Sequence, residues 1–182
     1  MEEYLDILDS FGNATGKTVL KSEAHKQGWF HNTAHVWFYT NDCEILLSQR
    51  AASKSIFPLL WDVSVAGHID AGESIINGAI RETEEEIGLT IKANALKKIG
   101  INTCMQTYGD AIKDYEFHHT FISELKSPVE QLSIQKEEVE TVKLVSFKQF
   151  KTLLIHSETN GHFVVSNKLY YEFVLETIQK LF

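Results

Sequence analysis

The chain has 182 residues, of which 43% are hydrophobic, and its formal net charge is −8. This length is typical of one domain with its own core, and the negative charge argues against broad binding to a nucleic-acid backbone. Cys43 and Cys104 lack the paired spacing of a redox or zinc motif. No basic and apolar leader is present, and no apolar run approaches the ~20 residues of a membrane span. We therefore expect one cytoplasmic domain, residues 1–182, without a nucleic-acid or membrane partner.

The hydrophobic pattern predicts an N-terminal hairpin followed by interspersed strands and helices. Residues 1–30 are predicted as a hairpin extension, with strands 4–9 and 17–21 around a turn-rich segment. The other predicted strands are 35–40, 44–50, 61–66, 96–106, 115–124 and 140–146. The predicted helices are 73–87, 147–154 and 165–181. This order indicates an α+β fold in which a mixed central sheet carries helices on both faces.

Acidic residues crowd the second half of the predicted helix 73–87. At 3.6 residues per turn, its apolar face consists of Ile75, Ile76, Ala79, Ile80, Thr83 and Ile87. Glu82 and Glu86 lie at the rim of that face and Glu85 is the next position, so three carboxylates converge on one patch. Like charges at this spacing destabilise a helix without a counter-ion, and Mg²⁺ binds oxygen ligands. The alternative, a solvated acidic face, explains neither the rim position nor the neighbouring Gly78.

Residues 67–89 resemble the Nudix box, in which a glycine, five residues, a glutamate and seven residues precede Arg-Glu-apolar-x-Glu-Glu-x-Gly-apolar. The residues in register are Gly67, Glu73, Arg81, Glu82, Glu85, Glu86, Gly88 and Leu89. Thr83 departs from the pattern, and we expect its hydroxyl to bond back to a helix carbonyl. The resemblance implies the Nudix α/β/α sandwich, here with the added N-terminal hairpin, and metal-dependent attack of water on a diphosphate.

Divalent ions promote such an attack because they neutralise the diphosphate and lower the pKa of a bound water. We predict that Glu82, Glu85 and Glu86 bind Mg²⁺ or Mn²⁺, and the resemblance adds the carbonyl of Gly67. We also predict that Glu82 and Glu85 of the box are catalytic residues.

Two further roles concern residues near the box and downstream of it. Arg81 is predicted to orient the site through an ion pair with Glu73, against the alternative of an ordinary surface salt bridge. Glu116 shares one face of strand 115–124 with Asp114 just before it. We predict that Glu116 joins the metal ligands or acts as the base, against the alternative of a surface acid.

Residues 35–73 are similar to the Nudix subgroup that includes isopentenyl-diphosphate isomerase. Arg50 and Lys54 match the Arg-x-x-x-Lys with which that enzyme holds a diphosphate. The subgroup's metal-binding residues are matched by His31, His68, Asp114 and Glu116, and more loosely by His25, whose spacing is one residue short. The Pro, Trp and Gly-His order of the subgroup appears at Pro58, Trp61, Gly67 and His68.

One departure favours hydrolysis over isomerisation. Ala66 stands where the isomerase has the cysteine that transfers a proton, and Cys104 is predicted to lie outside the site. His31 and His68 are equally well explained as structural histidines. Other polar groups are predicted as packing, solvent-facing or turn residues, namely His118, His119, Glu137, Glu138 and Glu140.

We therefore predict a hydrolase that uses Mg²⁺ or Mn²⁺ to cleave a diphosphate linkage in a nucleoside diphosphate or nucleotide-linked metabolite. Arg50, Lys54 and His68 are the predicted substrate-binding residues. An isopentenyl-diphosphate delta-isomerase is the first alternative, and a non-catalytic nucleotide-sensing module is the second. The expected partner is a small diphosphate, and the sequence leaves monomer and homodimer open.

Overall fold

The computed structural model describes residues 2–109, 112–164 and 168–182. Strands β1 (Tyr4–Leu8) and β2 (Ala14–Leu20) pair antiparallel, which confirms the predicted hairpin, although the second strand begins at residue 14 rather than 17. Helix α1 (Lys21–Gln27) follows and was not predicted from the sequence. It ends at Gly28, whose φ of 70° suits a residue without a side chain. The helix matters because it carries His25.

The hairpin contacts the loop that precedes the box helix. The amide of Ala71 donates to the carbonyl of Tyr4 at 2.8 Å, and the amide of Gly72 donates to a carboxylate oxygen of Asp6 at 2.8 Å. The N-terminal segment therefore supports the loop before the box helix through direct hydrogen bonds.

The remaining strands form one mixed sheet, as predicted. They are β3 (His31–Tyr39), β4 (Glu44–Arg50), β5 (Trp61–Asp62), β6 (Val65–His68), β7 (Lys97–Tyr108), β8 (Ile112–Glu124) and β9 (Val139–Ser146). The order is β5-β4-β3-β8-β7, with β6 paired to β3 and β9 paired to β4. Among the pairings between these strands in the described residues, only β3–β8 is parallel.

The sheet splits along β3. Its C-terminal end pairs with β4 through Tyr39 and Ile45, whereas its N-terminal half pairs with β6, from Thr33 opposite His68 to Val36 opposite Val65. Strand β4, with β5 and β9, therefore diverges from β6. The divergence opens a cleft between the two groups of strands.

Helices cover both faces of the sheet, which confirms the α/β/α sandwich. Because side chains alternate along a strand, Val36 and Phe38 pack under α2 (Ile75–Ile87), while Trp37 packs under α3 (Phe147–Ile155) and α4 (Lys168–Gln179). The first three residues of the predicted helix 165–181 lie outside the described residues. Within the described ranges, no helix is long and apolar enough to cross a membrane.

Helix α2 differs in two details from the sequence prediction. It begins at Ile75 rather than at residue 73, because the Ser74 hydroxyl caps it by accepting a hydrogen bond from the amide of Asn77. Ile76, predicted on the apolar face, is 42% exposed, so that assignment was wrong. Thr83 behaves as expected, and its hydroxyl donates to the carbonyl of Ala79 at 2.7 Å.

Candidate active site

A cleft of about 1240 Å³ occupies the split between β4 and β6. One wall is the box helix α2, and the opposite wall is the end of β4 with the loop that follows it. Its floor, called the cleft floor below, consists of alternate side chains of two adjacent strands, Thr33 and His35 of β3 and Asp114, Glu116 and His118 of β8. The buried His31 precedes them on the same face of β3. The predicted site residues that line this cleft are Arg50, Lys54, Gly67, His68, Arg81, Glu82, Glu85, Glu86 and Glu116.

Two glycines of the box allow its acidic side chains to approach the backbone closely. A Cβ atom at Gly67 would stand only 1.9 Å from the Cδ atom of Glu82. A Cβ atom at Gly78 would stand 2.5 Å from Ile69 and 3.0 Å from a carboxylate oxygen of Glu73. Any larger residue at Gly67 would displace the Glu82 carboxylate from strand β6. This close approach explains why the box pattern has a glycine at position 67.

Arg81 holds three acidic residues of the box in place. Its Nε and Nη2 atoms donate to the two carboxylate oxygens of Glu73 at 3.2 and 2.9 Å. Its Nη1 atom donates to Glu82 at 2.8 Å and to Glu85 at 3.0 Å. A fifth contact ties Nη2 to the carbonyl of His68 at 2.8 Å. The predicted Arg81–Glu73 ion pair is therefore present, within a network that crosses from loop to helix.

The box carboxylates lie in an environment that disfavours their charge. Burial raises the pKa of Glu82, although Arg81 opposes the shift. Burial, followed by the nearby charges of Glu82 and Glu138, raises the pKa of Glu86 well above its usual value. Glu86 is 6% exposed and so lies deeper than the rim position predicted for it, whereas Glu85 is exposed. A bound cation would relieve this repulsion, so the donor set fits a hard divalent ion.

A second cluster of possible metal ligands lies around Glu116 of the cleft floor. His25, His31, His68 and Glu116 each present one ligand atom, and these four atoms lie within 4.8 Å of one another. The three Nε2 atoms stand 3.7, 3.5 and 3.6 Å from one Glu116 oxygen. Four elements supply these residues, namely α1, β3, β6 and β8. The cluster includes His25, whose sequence spacing matched the isomerase pattern least well.

The histidines of this cluster are oriented for coordination through Nε2. The Nδ1 atoms of His25 and His31 lie 2.8 and 2.9 Å from the carbonyl oxygens of Lys21 and Trp29. A carbonyl only accepts, so each Nδ1 atom carries the proton and each Nε2 lone pair faces the cluster. Within the described residues, the buried Nε2 atom of His31 has no hydrogen-bond partner. The donor set therefore fits a divalent ion that accepts imidazole ligands.

Glu116 lies with the histidines, and the contacts described for it do not include the box carboxylates. Burial would raise its pKa, but the contacts with His118 and the three cluster histidines outweigh burial and hold the pKa well below its usual range. The Nε2 atom of His118 lies 2.9 Å from the second carboxylate oxygen of Glu116. Burial, and then the charge of Glu116, raise the pKa of the nearby Asp114 to about 6. The predicted catalytic role of Glu116 stays a prediction.

The two predicted diphosphate-binding residues line the opposite wall of the cleft. Arg50 approaches Asp62 at 3.8 Å and donates from Nε to the carbonyl of Ile56 at 3.1 Å. Lys54 forms an ion pair with Glu138. Both cations therefore have acidic partners within the cleft. A bound anion would have to compete with these partners for Arg50 and Lys54.

Two sequence predictions about the cleft were wrong. Cys104 lies in the cleft rather than outside it, since its strand β7 sets it opposite Glu116. Burial, with Glu116 and Asp114, raises the pKa of its thiol to about 12. Glu138 also lines the cleft and is not part of a purely solvated turn.

The sequence analysis also missed His35 and gave His118 no place in the site, although both residues belong to the cleft floor. The signal was present, because both follow the two-residue period that starts at His31 and Asp114. His119 points to the other face, where it contacts Asn32 and Lys98.

Comparison with known proteins agrees with this geometry. A family model described as the NUDIX domain matches residues 29–166. Nudix hydrolase 3 of Arabidopsis thaliana is 35% identical over 84% of the chain, although the match spans only 20% of that longer protein. An uncharacterized Nudix hydrolase of Clostridium acetobutylicum is 38% identical over 76% of the chain and 67% of its own length.

Isomerases and solved Nudix structures also match. Isopentenyl-diphosphate delta-isomerase 2 of Photorhabdus laumondii is 29% identical over 85% of the chain and 83% of its own length. The structure of a Deinococcus radiodurans protein, DR0079, covers 93% of the chain and 98% of its own length with a TM-score of 0.70 at 16% identity. The box, the sandwich and the matching relatives lead to one conclusion, that the chain belongs to the Nudix family of hydrolases, in the subgroup similar to isopentenyl-diphosphate isomerase.

Proposed function

We propose that this chain hydrolyses a diphosphate linkage in a nucleoside diphosphate or nucleotide-linked metabolite and depends on Mg²⁺ or Mn²⁺. The observation that carries the proposal is that Glu82, Glu85 and the buried Glu86 line one cleft, with Glu82 against Gly67 and with Arg81 bonded to Glu82 and Glu85. In a protein with a net charge of −8, an anionic substrate needs local positive charge. Divalent ions at the carboxylates would supply it.

The box residues would hold the ion and keep its ligands in place. Glu82, Glu85, Glu86 and the Gly67 carbonyl are the proposed ligands. The bound ion supplies charge neutralisation and an acidified water. The Nη2 and Nε atoms of Arg81 donate to the two carboxylate oxygens of Glu73 at 2.9 and 3.2 Å. Because Arg81 also donates to the carbonyl of His68, these contacts hold the start of α2 against strand β6. We assign Arg81 and Glu73 orienting roles, because Arg81 also contacts two of the proposed ligands.

The opposite wall would bind the substrate. Arg50 offers a guanidinium suited to paired phosphoryl oxygens, and Lys54 offers a point charge. Asp62 and Glu138 hold these cations near the cleft before the substrate binds. His68, on the same side of β6 as Ala66, would face the substrate from the floor.

The cleft floor supports a second metal centre. His25, His31, His68 and Glu116 would hold the ion, and the unpartnered Nε2 atom of His31 supports this assignment. Glu116 would then act as a ligand there, with Asp114 at 3.5 Å from His25 as a neighbouring acid. Ions bound at both clusters would add positive charge to the cleft, which an anionic diphosphate requires.

An isopentenyl-diphosphate delta-isomerase remains the second candidate, favoured by the histidine cluster and by named isomerases among the relatives. One feature weighs against it, because Ala66 offers no transferable proton at the position where the isomerase has its cysteine.

A panel of diphosphates incubated with Mg²⁺ or Mn²⁺ tests the proposal and separates the candidates. We expect phosphate or nucleotide release from at least one nucleoside diphosphate or nucleotide-linked diphosphate. NMR of isopentenyl diphosphate incubated under the same conditions should show no dimethylallyl product. Robust isomerisation without hydrolysis would overturn the proposal, and tight binding without turnover would favour the sensing module.

A further inference from the structure

A buried polar network connects helix α4 with the cleft floor. The Tyr170 hydroxyl lies 2.9 Å from Nδ1 of His35, 2.9 Å from Nε1 of Trp37 and 3.2 Å from the Thr120 hydroxyl. These four residues are at most 6% exposed. The network is therefore shielded from water, and its donors and acceptors must satisfy one another.

The donors, acceptors and distances of this network favour one form of the His35 ring. The Trp37 indole can only donate, so the Tyr170 oxygen accepts from it. The Thr120 hydroxyl donates to the carbonyl of His118 at 3.3 Å. The Tyr170 proton then goes to the nearer acceptor, Nδ1 of His35. This assignment places the proton of the neutral imidazole on Nε2.

His35 faces the cleft where its neighbour is small. Its Cα partner across the strands is Ala66, and both residues line the cleft. This is also the position at which the isomerase-like pattern has its cysteine. His35, on the adjacent strand, therefore places an imidazole N–H group beside Ala66, whose own side chain has no group that can donate a proton.

The charged groups of the site surround His35. Its ring stacks on His118 at 4.1 Å between centroids. Burial and the neighbouring His118 hold the pKa of His35 well below its usual value, and the charges of Arg50, His68 and Glu116 also act on it. An anion that reaches from Arg50 to the histidine cluster would thus pass beside an uncharged N–H group.

Nearby unpartnered atoms also indicate that this part of the floor receives a polar ligand. The hydroxyl of Thr33 and Nδ1 of His118 are buried and lack a hydrogen-bond partner within the described residues. Thr33 and His118 are Cα partners on adjacent strands. Buried groups left unpaired are costly, and a bound substrate with polar atoms would pair them.

We propose that His35 contacts the substrate as a neutral hydrogen-bond donor through Nε2, and that Tyr170 is the positioning residue that sets its tautomer. The proposal rests on the proposed diphosphate hydrolysis. A neutral imidazole can stabilise negative charge that grows on a phosphoryl or leaving oxygen. It also adds no positive charge beside the two clusters that would bind cations.

The tautomer is measured first, because this measurement requires no substrate. We expect ¹⁵N NMR of the full chain to show a bare Nδ1 and a protonated Nε2 for His35, assigned by its absence from the spectrum of His35→Gln. Tyr170→Phe should abolish this preference, whereas Thr120→Val, the matched control, should retain it. A protonated Nδ1 in the parent protein overturns the tautomer assignment.

The substrate contact is tested with methylenediphosphonate and Mg²⁺, because this diphosphate analogue is not hydrolysed. We expect binding to move the His35 Nε2 signal, and to weaken about tenfold or more in His35→Phe, since a hydrogen bond to a charged oxygen is lost. His35→Gln, which keeps an N–H donor, should bind more tightly than His35→Phe. Binding that leaves the Nε2 signal unchanged overturns the contact alone, whereas absence of any binding contradicts the proposed function as well.

Discussion

The box cluster and the histidine cluster occupy one cleft but are built in opposite ways. The box cluster takes Glu82, Glu85 and Glu86 from a single helix, and Arg81 forms ion pairs with the first two of them. The histidine cluster surrounds one carboxylate, Glu116, with imidazole rings from separate elements.

The two clusters shift the pKa values of their buried carboxylates in opposite directions. Burial raises the pKa of Glu86 well above its usual value, whereas four histidines outweigh burial and hold the pKa of Glu116 well below its usual value. Oxygen-only ligands favour Mg²⁺ and Mn²⁺, and imidazole ligands favour Zn²⁺ and similar ions. We therefore expect the two clusters to differ in metal preference, and the following predictions test that expectation.

The largest effect is expected at the box cluster. Glu86→Gln should lower kcat by at least about a hundredfold, because it removes an electrostatic contribution to the transition state. The metal-free protein should remain folded, since the substitution removes a buried charge close to Glu82. Steady-state kinetics and thermal unfolding check both statements.

Glu84→Gln is the matched control for Glu86→Gln. Glu84 lies on the exposed side of the same helix, with one long hydrogen bond from Thr90 at 3.4 Å. Its kinetics should match those of the parent. Parent-like turnover of Glu86→Gln at saturating Mg²⁺ would contradict the assignment of the box cluster.

The histidine cluster should respond to a different metal. At a concentration 100-fold above its Kd, Zn²⁺ should stabilise the protein by about 2.7 kcal/mol, which raises Tm by roughly 5–10 °C for a chain of this size. His31→Gln should abolish the Zn²⁺-induced shift and leave the effect of Mg²⁺ unchanged. Differential scanning calorimetry measures both.

His119→Gln is the control for His31→Gln, because His119 lies on the opposite face of β8. It should retain the Zn²⁺ response. An equal loss of the Zn²⁺ response in both variants would show that the ion binds elsewhere, and the contrast between the two clusters would then fail.

A smaller effect is expected on the substrate-binding wall. Arg50→Ala should raise KM about tenfold or more, from the loss of a charge-assisted contact of roughly 1.5–3 kcal/mol. The dependence on Mg²⁺ should change little, because Arg50 contacts Asp62 and Ile56 rather than the box. Arg50→Lys, which keeps the charge without the paired donors, should give an intermediate KM. An unchanged KM in Arg50→Ala would mean that this wall does not bind the diphosphate.

The smallest effect concerns a histidine outside both clusters. Burial, then the charge of Lys98, lowers the pKa of His119 to about 4 from an unfolded value of 6.5. The unfolded chain therefore binds the extra proton first, and this histidine destabilises the fold as the pH falls from 6.5 towards 4. Urea unfolding of His119→Gln should show a smaller loss of stability between pH 7 and 5 than the parent, by less than about 1 kcal/mol because the ring is partly exposed to solvent.

His156→Gln provides the comparison for the pH experiment, since His156 is exposed at the end of α3. It should follow the parent across the same pH range. If His119→Gln and His156→Gln behave alike, the neutral state of His119 does not contribute to the pH dependence.

Much of the box could be predicted because its information is local. Helical geometry places Glu82, Glu85 and Glu86 together whatever the rest of the chain does, and Gly88 ends the helix as expected with a φ of 66°. The start of the helix was less certain, because Ser74 and Glu73 both suit a first turn and only the cap hydrogen bond distinguishes them.

The histidine cluster could be predicted only in part. His31 and His68 followed from a resemblance, but α1, the short helix that carries His25, was missed. The same limit applies to Cys104 and Glu138, which are far from the box in sequence and enter the cleft through strand pairing and loop placement.

The sequence by itself determined the box helix, the strand periods and the glycine spacing, because these depend on local geometry and on the alternation of side chains. Only the tertiary structure decided which strands separate at β3, which residues face the cleft, and that His25, His31, His68 and Glu116 meet. The physical reason is that pairing between distant strands depends on packing over the whole core. The same packing places Tyr170 of α4 against His35, a contact between residues far apart in the chain.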